Sequence, residues 1–401
     1  MTAERQIYLD NAATTAVLPE VVQAMLPYFT QEYGNPSSLY ELGQRARSAI
    51  SDARERIAAH IGARGQDIYF TSGGTEADNW ALKETAFAYR DKGKHIITTS
   101  TEHHAISHSC EWLEKRGFEV TYLPVDTDGL VSPAGFEAAI RDDTTLASII
   151  FANNEIGTIQ PVRELAAIAR ARGVVFHTDA VQAIGHVAID VEELGVDLLA
   201  ASGHKFHGPK GVGFLYIRKG IKTRSFLDGG AQERKRRAST ENVPSIIGMA
   251  KALDIAMANF DARVAHETAL RDRLIERVLN EVEHVRLNGH RDQRLGGNAN
   301  FSFEFVEGES LLLSLEQKGI LGSSGSACAS GSLDPSHVLL AIGLPHEIAH
   351  GSLRLTIGEE TTVEDIDYTV EAIKQVVGQL RQMSPLYEDF VAGKKPLSAV
   401  R

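Results

Sequence analysis

Cysteine is nearly absent: two residues, Cys110 and Cys328, in a chain of 401. Thiols this sparse and this far apart exclude a disulfide framework and fit a reducing compartment, so a cytoplasmic protein is expected. Long apolar runs are missing too. No stretch approaches the roughly 20 residues that cross a bilayer, and residues 1–6 lack the basic and apolar segments of a signal peptide. No membrane role is expected. Basic excess is also lacking: 41 Lys and Arg stand against 53 Asp and Glu, a net charge of −12, which disfavours general attraction to nucleic acid or anionic lipid. The exception is Arg234-Lys235-Arg236-Arg237, read first as a solvated basic loop and second as a cover over an anionic cofactor or a subunit contact.

What is present is ordinary globular composition, 43% hydrophobic and 23% charged, in a chain long enough for two cores. From about residue 68, short apolar runs alternate with helical patterns. Strands are predicted at 68–71, 95–99, 146–151, 174–177, 196–201 and 212–217, and helices at 75–90, 104–116 and 161–172. The fold class is therefore α/β, a mainly parallel sheet covered on both faces, with ligands at the carboxyl ends of its strands. Beyond residue 260, segments 298–305 and 353–357 alternate with period two, which predicts a smaller α+β unit with a half-exposed sheet. The expected division is a large domain over 16–260 and a small one over 1–15 with 261–401, carrying a Gly/Ser-rich loop at 322–332.

Candidate chemistry gathers at the predicted strand ends. Lys205, in Ser202-Gly203-His204-Lys205, follows an apolar strand, where an amine can form a Schiff base. Asp179 ends another strand, where a carboxylate needs a cationic partner such as a protonated pyridine nitrogen, or else caps the next helix. The pair suggests pyridoxal phosphate. Gly74 and Thr75 lie at a strand-to-helix junction that suits a phosphate, although Thr75 would serve equally as a plain N-cap. Gln182 could reach a phenolic oxygen or only solvent. His103 could stack on a ring and shuttle protons. A competing metal site draws on His104, His108, His177 and Asp179. Asn154 is an orienting group or a turn former. Arg354 alternates with Leu353 and Leu355, so it is either solvent-exposed or a carboxylate clamp. Cys110 falls in a helix and reads as packed, whereas Cys328 sits on a flexible tether able to carry a sulfur.

Taken together, these residues make the chain resemble the cysteine desulfurases of the NifS/IscS type, within the class V aminotransferases of fold type I. The resemblance runs through Tyr8-Leu-Asp-Asn-Ala-Ala-Thr-Thr15, Gly34-Asn-Pro-Ser-Ser38, and segments 72–75, 152–157, 177–182, 202–213 and 323–328. It implies pyridoxal 5'-phosphate as cofactor, L-cysteine as substrate and a homodimer. Sulfur would pass as a persulfide on Cys328 to an iron–sulfur scaffold protein of the U type. The resemblance also implies roles. Lys205 would hold the cofactor as a Schiff base and Asp179 would pair with its ring nitrogen. Gln182 would contact the phenolic oxygen, and His103 would stack on the ring and assist proton movement. Gly74, Thr75, Ser202 and His204 would hold the phosphate, with Thr240 reaching it from the other subunit, and Asn154 and Arg354 would bind the substrate carboxylate. No resident metal is implied, although Cys328 would touch a cluster during transfer. Ser239 stands where glycine is expected and Ala329 where threonine is frequent, while Gly331-Ser332 leans towards a nitrogenase-associated role. The rivals are a selenocysteine lyase or other lyase of the same fold, a metal-dependent hydrolase, and a sulfur carrier without catalysis.

Overall fold

The computed structural model describes residues 6–324 and 335–394; the expectation placed on Cys328 lies outside them. The chain starts with a short strand, β1 (Ile7–Tyr8). There follow β2 (Ile68–Thr71), β3 (His95–Thr99), β4 (Glu119–Leu123), β5 (Thr144–Ser148), β6 (Val175–Asp179), β7 (Leu198–Ser202) and β8 (Gly213–Ile217), which form a seven-stranded sheet in the order β2-β8-β7-β6-β5-β3-β4. Only β8 runs antiparallel to its neighbours. Every strand of this sheet except the edge strand β4 is buried throughout, as helices packed on both faces require.

Two strand ends differ from the sequence reading in a way that matters. The strand predicted at 174–177 extends through Asp179, and the one predicted at 146–151 occupies 144–148. Thr144 is accommodated because its hydroxyl bonds the buried His95 ring at 2.7 Å, so polar character did not end the strand.

The helix predicted at 75–90 begins at Gly74 and contains a π-helical stretch, Trp80–Glu84. Trp80 is wholly buried there. Its ring packs edge-on against Tyr69 and stacks on Phe226, while its indole N–H donates to Thr223 Oγ1 at 3.0 Å. The helix predicted at 161–172 is observed at Val162–Ala171, and Gly173, at φ +66°, supports the left-handed turn that ends it.

The last part of the chain adds β9 (Val285–Asn288), β10 (Asn298–Phe303), β11 (Ile320–Leu321) and β12 (Ser352–Thr356). β11 pairs with β1, and the other three form an antiparallel sheet with β10 in the centre. The expectation of a half-exposed sheet is wrong: β10 and β12 are buried at every position. The apolar face, Ala299, Phe301 and Phe303 with Leu353 and Leu355, joins a core that includes Ile7 and Leu9 and the helices Phe260–Glu281 and Val363–Gln382. The polar face packs against the segment after β5, where Asn298 and Asn300 both donate to the Glu155 carbonyl. Period two had marked two faces, not one wet side.

The Arg234–Arg237 segment is solvated only in part: Arg234 and Lys235 are exposed, Arg236 and Arg237 half-buried, and both end residues have partners. Arg234 donates to the Ile68 carbonyl at 2.6 Å and lies 4.0 Å from the Tyr69 ring centre. Arg237 pairs with Glu76 at 2.8 Å. The preceding Glu233, 5% exposed, forms a two-bond ion pair with Arg54 and accepts from Phe70 N. Among the described residues, no single helix is long and apolar enough to cross a membrane.

Candidate active site

The carboxyl ends of the parallel strands converge on a cavity of about 300 Å³. β6 delivers Asp179 as its last residue, and β7 delivers Ser202 as its last, followed by a single tight turn, Gly203–Lys205. The segment after β3 brings Glu102 and His103, that after β5 brings Asn154, and that after β2 brings Gly74 and Thr75, all of them lining the same space.

Asp179 is 4% exposed and accepts from Val181 N at 2.9 Å. Burial pushes its carboxyl up to about 6, against the opposing pull of that N–H and of Lys205. It does not cap a regular helix; the residues that follow are turns. Lys205 Nζ donates to the carbonyls of Ala12 and Ala13 at 2.5 and 2.9 Å. Gln182 also donates to Ala12 O, at 2.9 Å, so it is bound to the chain rather than to solvent. Burial, with the nearby positive charge of Lys205, drives both His103 and His204 down to about 4, leaving both neutral near pH 7. His103 Nδ1 accepts from Ala105 N at 3.1 Å and caps the helix His104–Glu114, so the imidazole is held in one orientation.

Thr75 is not an N-cap. That position belongs to Gly73, and Thr75 is exposed in the first turn and lines the cavity. A Cβ at Gly74 would come within 2.4 Å of Val181 Cγ2, so only glycine lets this helix start lie against the segment after Asp179. Gly74, Thr75, Ser202 and His204 also border a second recess that contains Ser72 and Lys210. Hydroxyls, imidazole, backbone N–H groups and an ammonium suit a phosphate. A buried carboxylate displaced upward by desolvation suits a pyridinium, and an amine on the same cavity suits an aldehyde. The residues present therefore fit pyridoxal phosphate.

Arg354 is not solvent-exposed. It is 2% accessible, bonds Asp10 Oδ1 at 2.8 Å and donates to the Asn154 carbonyl at 2.9 Å. Its register partner on β10 is Asn300, which puts it on the inward polar face. Thr240 is exposed and does not line the cavity of its own chain. Ser239 before it has φ +113°. The competing metal site does not assemble: His177 is buried against Ser148 Oγ, and among the described residues no group of three or more His, Cys, Asp or Glu side chains is arranged to hold an ion.

Several lining residues escaped the sequence reading. Ala12 and Ala13 contribute only carbonyls, which no side chain announces. Asp78, Glu102 and Glu155 are buried carboxyls whose desolvation raises them, Glu102 to about 8 and Glu155 to about 7. His337 reaches in from the far side of the 325–334 segment, its Nε2 2.9 Å from the Glu102 carbonyl. It is the first residue of the helix His337–Ala341, which Ser336 caps.

A lysine and a buried aspartate at the strand ends of a mainly parallel sheet, beside a second small sheet, fit the fold type I architecture. The aminotransferase class-V family model matches residues 7–369, and the chain belongs to that family. The cysteine desulfurase IscS of Methanosarcina thermophila is 60% identical over 385 residues, 96% of this chain and 95% of that protein. A solved NifS-like protein superposes with a TM-score of 0.88 at 37% identity, covering 94% of this chain and all of that one. SspA in complex with cysteine superposes with a TM-score of 0.78 at 35% identity, covering 89% of this chain and all of that one.

Proposed function

We propose that the protein is a pyridoxal-phosphate-dependent cysteine desulfurase that converts L-cysteine to L-alanine and passes the sulfur on as a persulfide. The observation that carries the reading is the convergence of Lys205 and the buried Asp179 on one cavity. Its 60% identical relative, a cysteine desulfurase IscS, and its likeness to a structure solved with cysteine support the substrate. When bound, the cofactor supplies a sink for electrons freed at the amino acid's α-carbon. Asp179 would hold the ring nitrogen of the bound group and keep it protonated, Gln182 would meet the ring's oxygen, and Lys205 would hold the aldehyde. Lys205 Nζ would also stand ready to take the substrate's α-proton. His103, neutral and fixed by Ala105 N, moves protons over the site. Arg354 and Asn154 hold the substrate carboxylate. The Cys328 thiolate attacks the substrate sulfur; the carbon–sulfur bond breaks, its electrons and a proton end on carbon, and alanine leaves.

The reading extends to a homodimer in which Thr240 completes the partner's phosphate site. Its exposure outside its own cavity supports this, as do the exposed apolar side chains Phe29, Leu39 and Tyr40. The division at 16–260 against 1–15 with 261–401 is supported by a cluster that joins Ile7 and Leu9 to residues beyond 269 alone, although a small cluster also links Ile156 to Val338 and Leu339. The acceptor is an iron–sulfur scaffold protein of the U type, and the compartment is the cytoplasm.

Adding pyridoxal phosphate to purified protein should give a yellow species that releases sulfide from L-cysteine with dithiothreitol. Lys205→Ala should lose both the covalent linkage and turnover, and Cys328→Ser should keep the colour and release no sulfide. A wild-type protein that stays colourless refutes the reading.

A further inference from the structure

The lysine-bearing turn Gly203–Lys205 has each of its three carbonyls engaged. Gly203 O accepts from Phe206 N and Gly208 N, at 3.3 and 3.0 Å. His204 O accepts from Thr15 N at 3.1 Å and Thr15 Oγ1 at 2.9 Å. Lys205 O is met by the His186 side chain, whose Nε2 lies at 3.0 Å. A carbonyl can only accept, so Nε2 carries the hydrogen. Nδ1, on the other side of the ring, lies 3.4 Å from Arg263 Nη1 and 3.9 Å from Glu267 Oε2.

The backing is rigid. Arg263 is 8% exposed, bonds Glu267 Oε1 at 3.0 Å on its own helix and donates to the Gly185 carbonyl. Gly185 is at φ +81°, and a Cβ there would stand 3.0 Å from the Cβ of Phe206, so glycine lets this turn lie against the residue that follows Lys205. His186 does not line the cavity. It ties the helix Phe260–Glu281 to the peptide of Lys205 without touching a reacting group.

We infer that His186 is a positioning residue: through the bond from Nε2 to the Lys205 carbonyl it holds the lysine main chain still while the amine swings between cofactor and substrate. The inference rests on the role of Lys205 proposed above. It matters because a displacement of about 1 Å in a catalytic group can cost roughly 100-fold in rate.

The test compares His186→Leu, His186→Asn and His186→Gln in cofactor-loaded full-length protein. A glutamine amide nitrogen falls where Nε2 was, whereas an asparagine amide reaches only the Nδ1 position. The expected result is a kcat about tenfold lower or worse in the Leu and Asn variants, with KM for L-cysteine within about twofold. The pH midpoint of their visible band should be displaced, and His186→Gln should restore both kcat and midpoint. If His186→Leu does not fold, the Asn and Gln pair decides alone. Wild-type kcat and midpoint in both the Leu and Asn variants would overturn the inference. So would equal losses in Asn and Gln, since the effect would then follow packing and not the Nε2 donor. A colourless wild-type control overturns instead the role of Lys205.

Discussion

Arg354 and Asp10 form a 2.8 Å ion pair between the inner face of β12 and the end of the N-terminal strand segment, with the arginine almost wholly out of water. A guanidinium held this way, with a second bond to the Asn154 carbonyl, is oriented before any substrate arrives. Truncating one side of a buried charge pair costs about 2–5 kcal/mol. Arg354→Ala is therefore expected to raise KM for L-cysteine by about 30-fold or more, while the visible band of the bound cofactor is retained. Substrate saturation curves check this, and an unchanged KM would remove Arg354 from the site.

Asp179 makes stability depend on pH. Its carboxyl is raised from 3.8 to about 6 by burial, so the folded chain holds that proton more tightly than the unfolded one. The stabilisation is present in full below the unfolded value and is lost as pH rises through about 6. Cofactor-free Asp179→Asn should therefore melt increasingly above wild type between pH 4 and 7. Loading with pyridoxal phosphate should reverse the order at pH 8, because a ring cation then partners the carboxylate in wild type alone. A difference that stays flat with pH would contradict the burial argument.

The two cysteines should behave differently. Cys110 is fully buried in a helix core, and desolvation, reinforced by Glu102 and neighbouring acids, pushes its thiol far above the usual range. The native protein should leave Cys110 unmodified by iodoacetamide at pH 8, as peptide mass mapping would show. Cys110→Ser should keep near-normal turnover while losing about 1–3 kcal/mol of stability from a buried hydroxyl. Rapid alkylation of Cys110 would refute the core placement.

Ser239 occupies φ +113°, a region that costs an L side chain energy and glycine almost none. Ser239→Gly should stabilise the protein by up to about 1 kcal/mol, read as a higher urea midpoint at unchanged slope. A lower midpoint would show that the hydroxyl makes up for the strain.

Much of the site was legible because its residues sit where a strand stops. An apolar run ending in Asp179, another ending in Ser202 and the lysine beyond it announce a sheet edge in one dimension. The helix after β2 and the packed role of Cys110 were readable for a similar reason, since period and neighbours are local. Arg354 and the Asn298-Ala-Asn-Phe-Ser-Phe303 strand show where such reading stops. Alternation tells that two faces differ, and only a partner surface tells whether the polar one meets water. Arg234 and Arg237 misled in part in the same way, since a charge run gives no sign of the Tyr69 ring or of the Glu76 carboxylate, the latter waiting 161 residues earlier in the chain. Ala12 and Ala13 could not be found at all, because a main-chain carbonyl has the same formula everywhere.

The order of residues alone thus determined which atoms are reactive and on which strand end each is carried, since hydrophobic period and chain direction are properties of neighbours. Tertiary structure decided what each reactive atom is paired with: Asp10 for Arg354, the Ala12 and Ala13 carbonyls for Lys205, and His186 behind the lysine's own peptide. Those pairings join positions 19 to 344 residues apart. They exist because burying apolar faces brings distant polar groups into one dry space, where each must find a partner or pay the full desolvation cost.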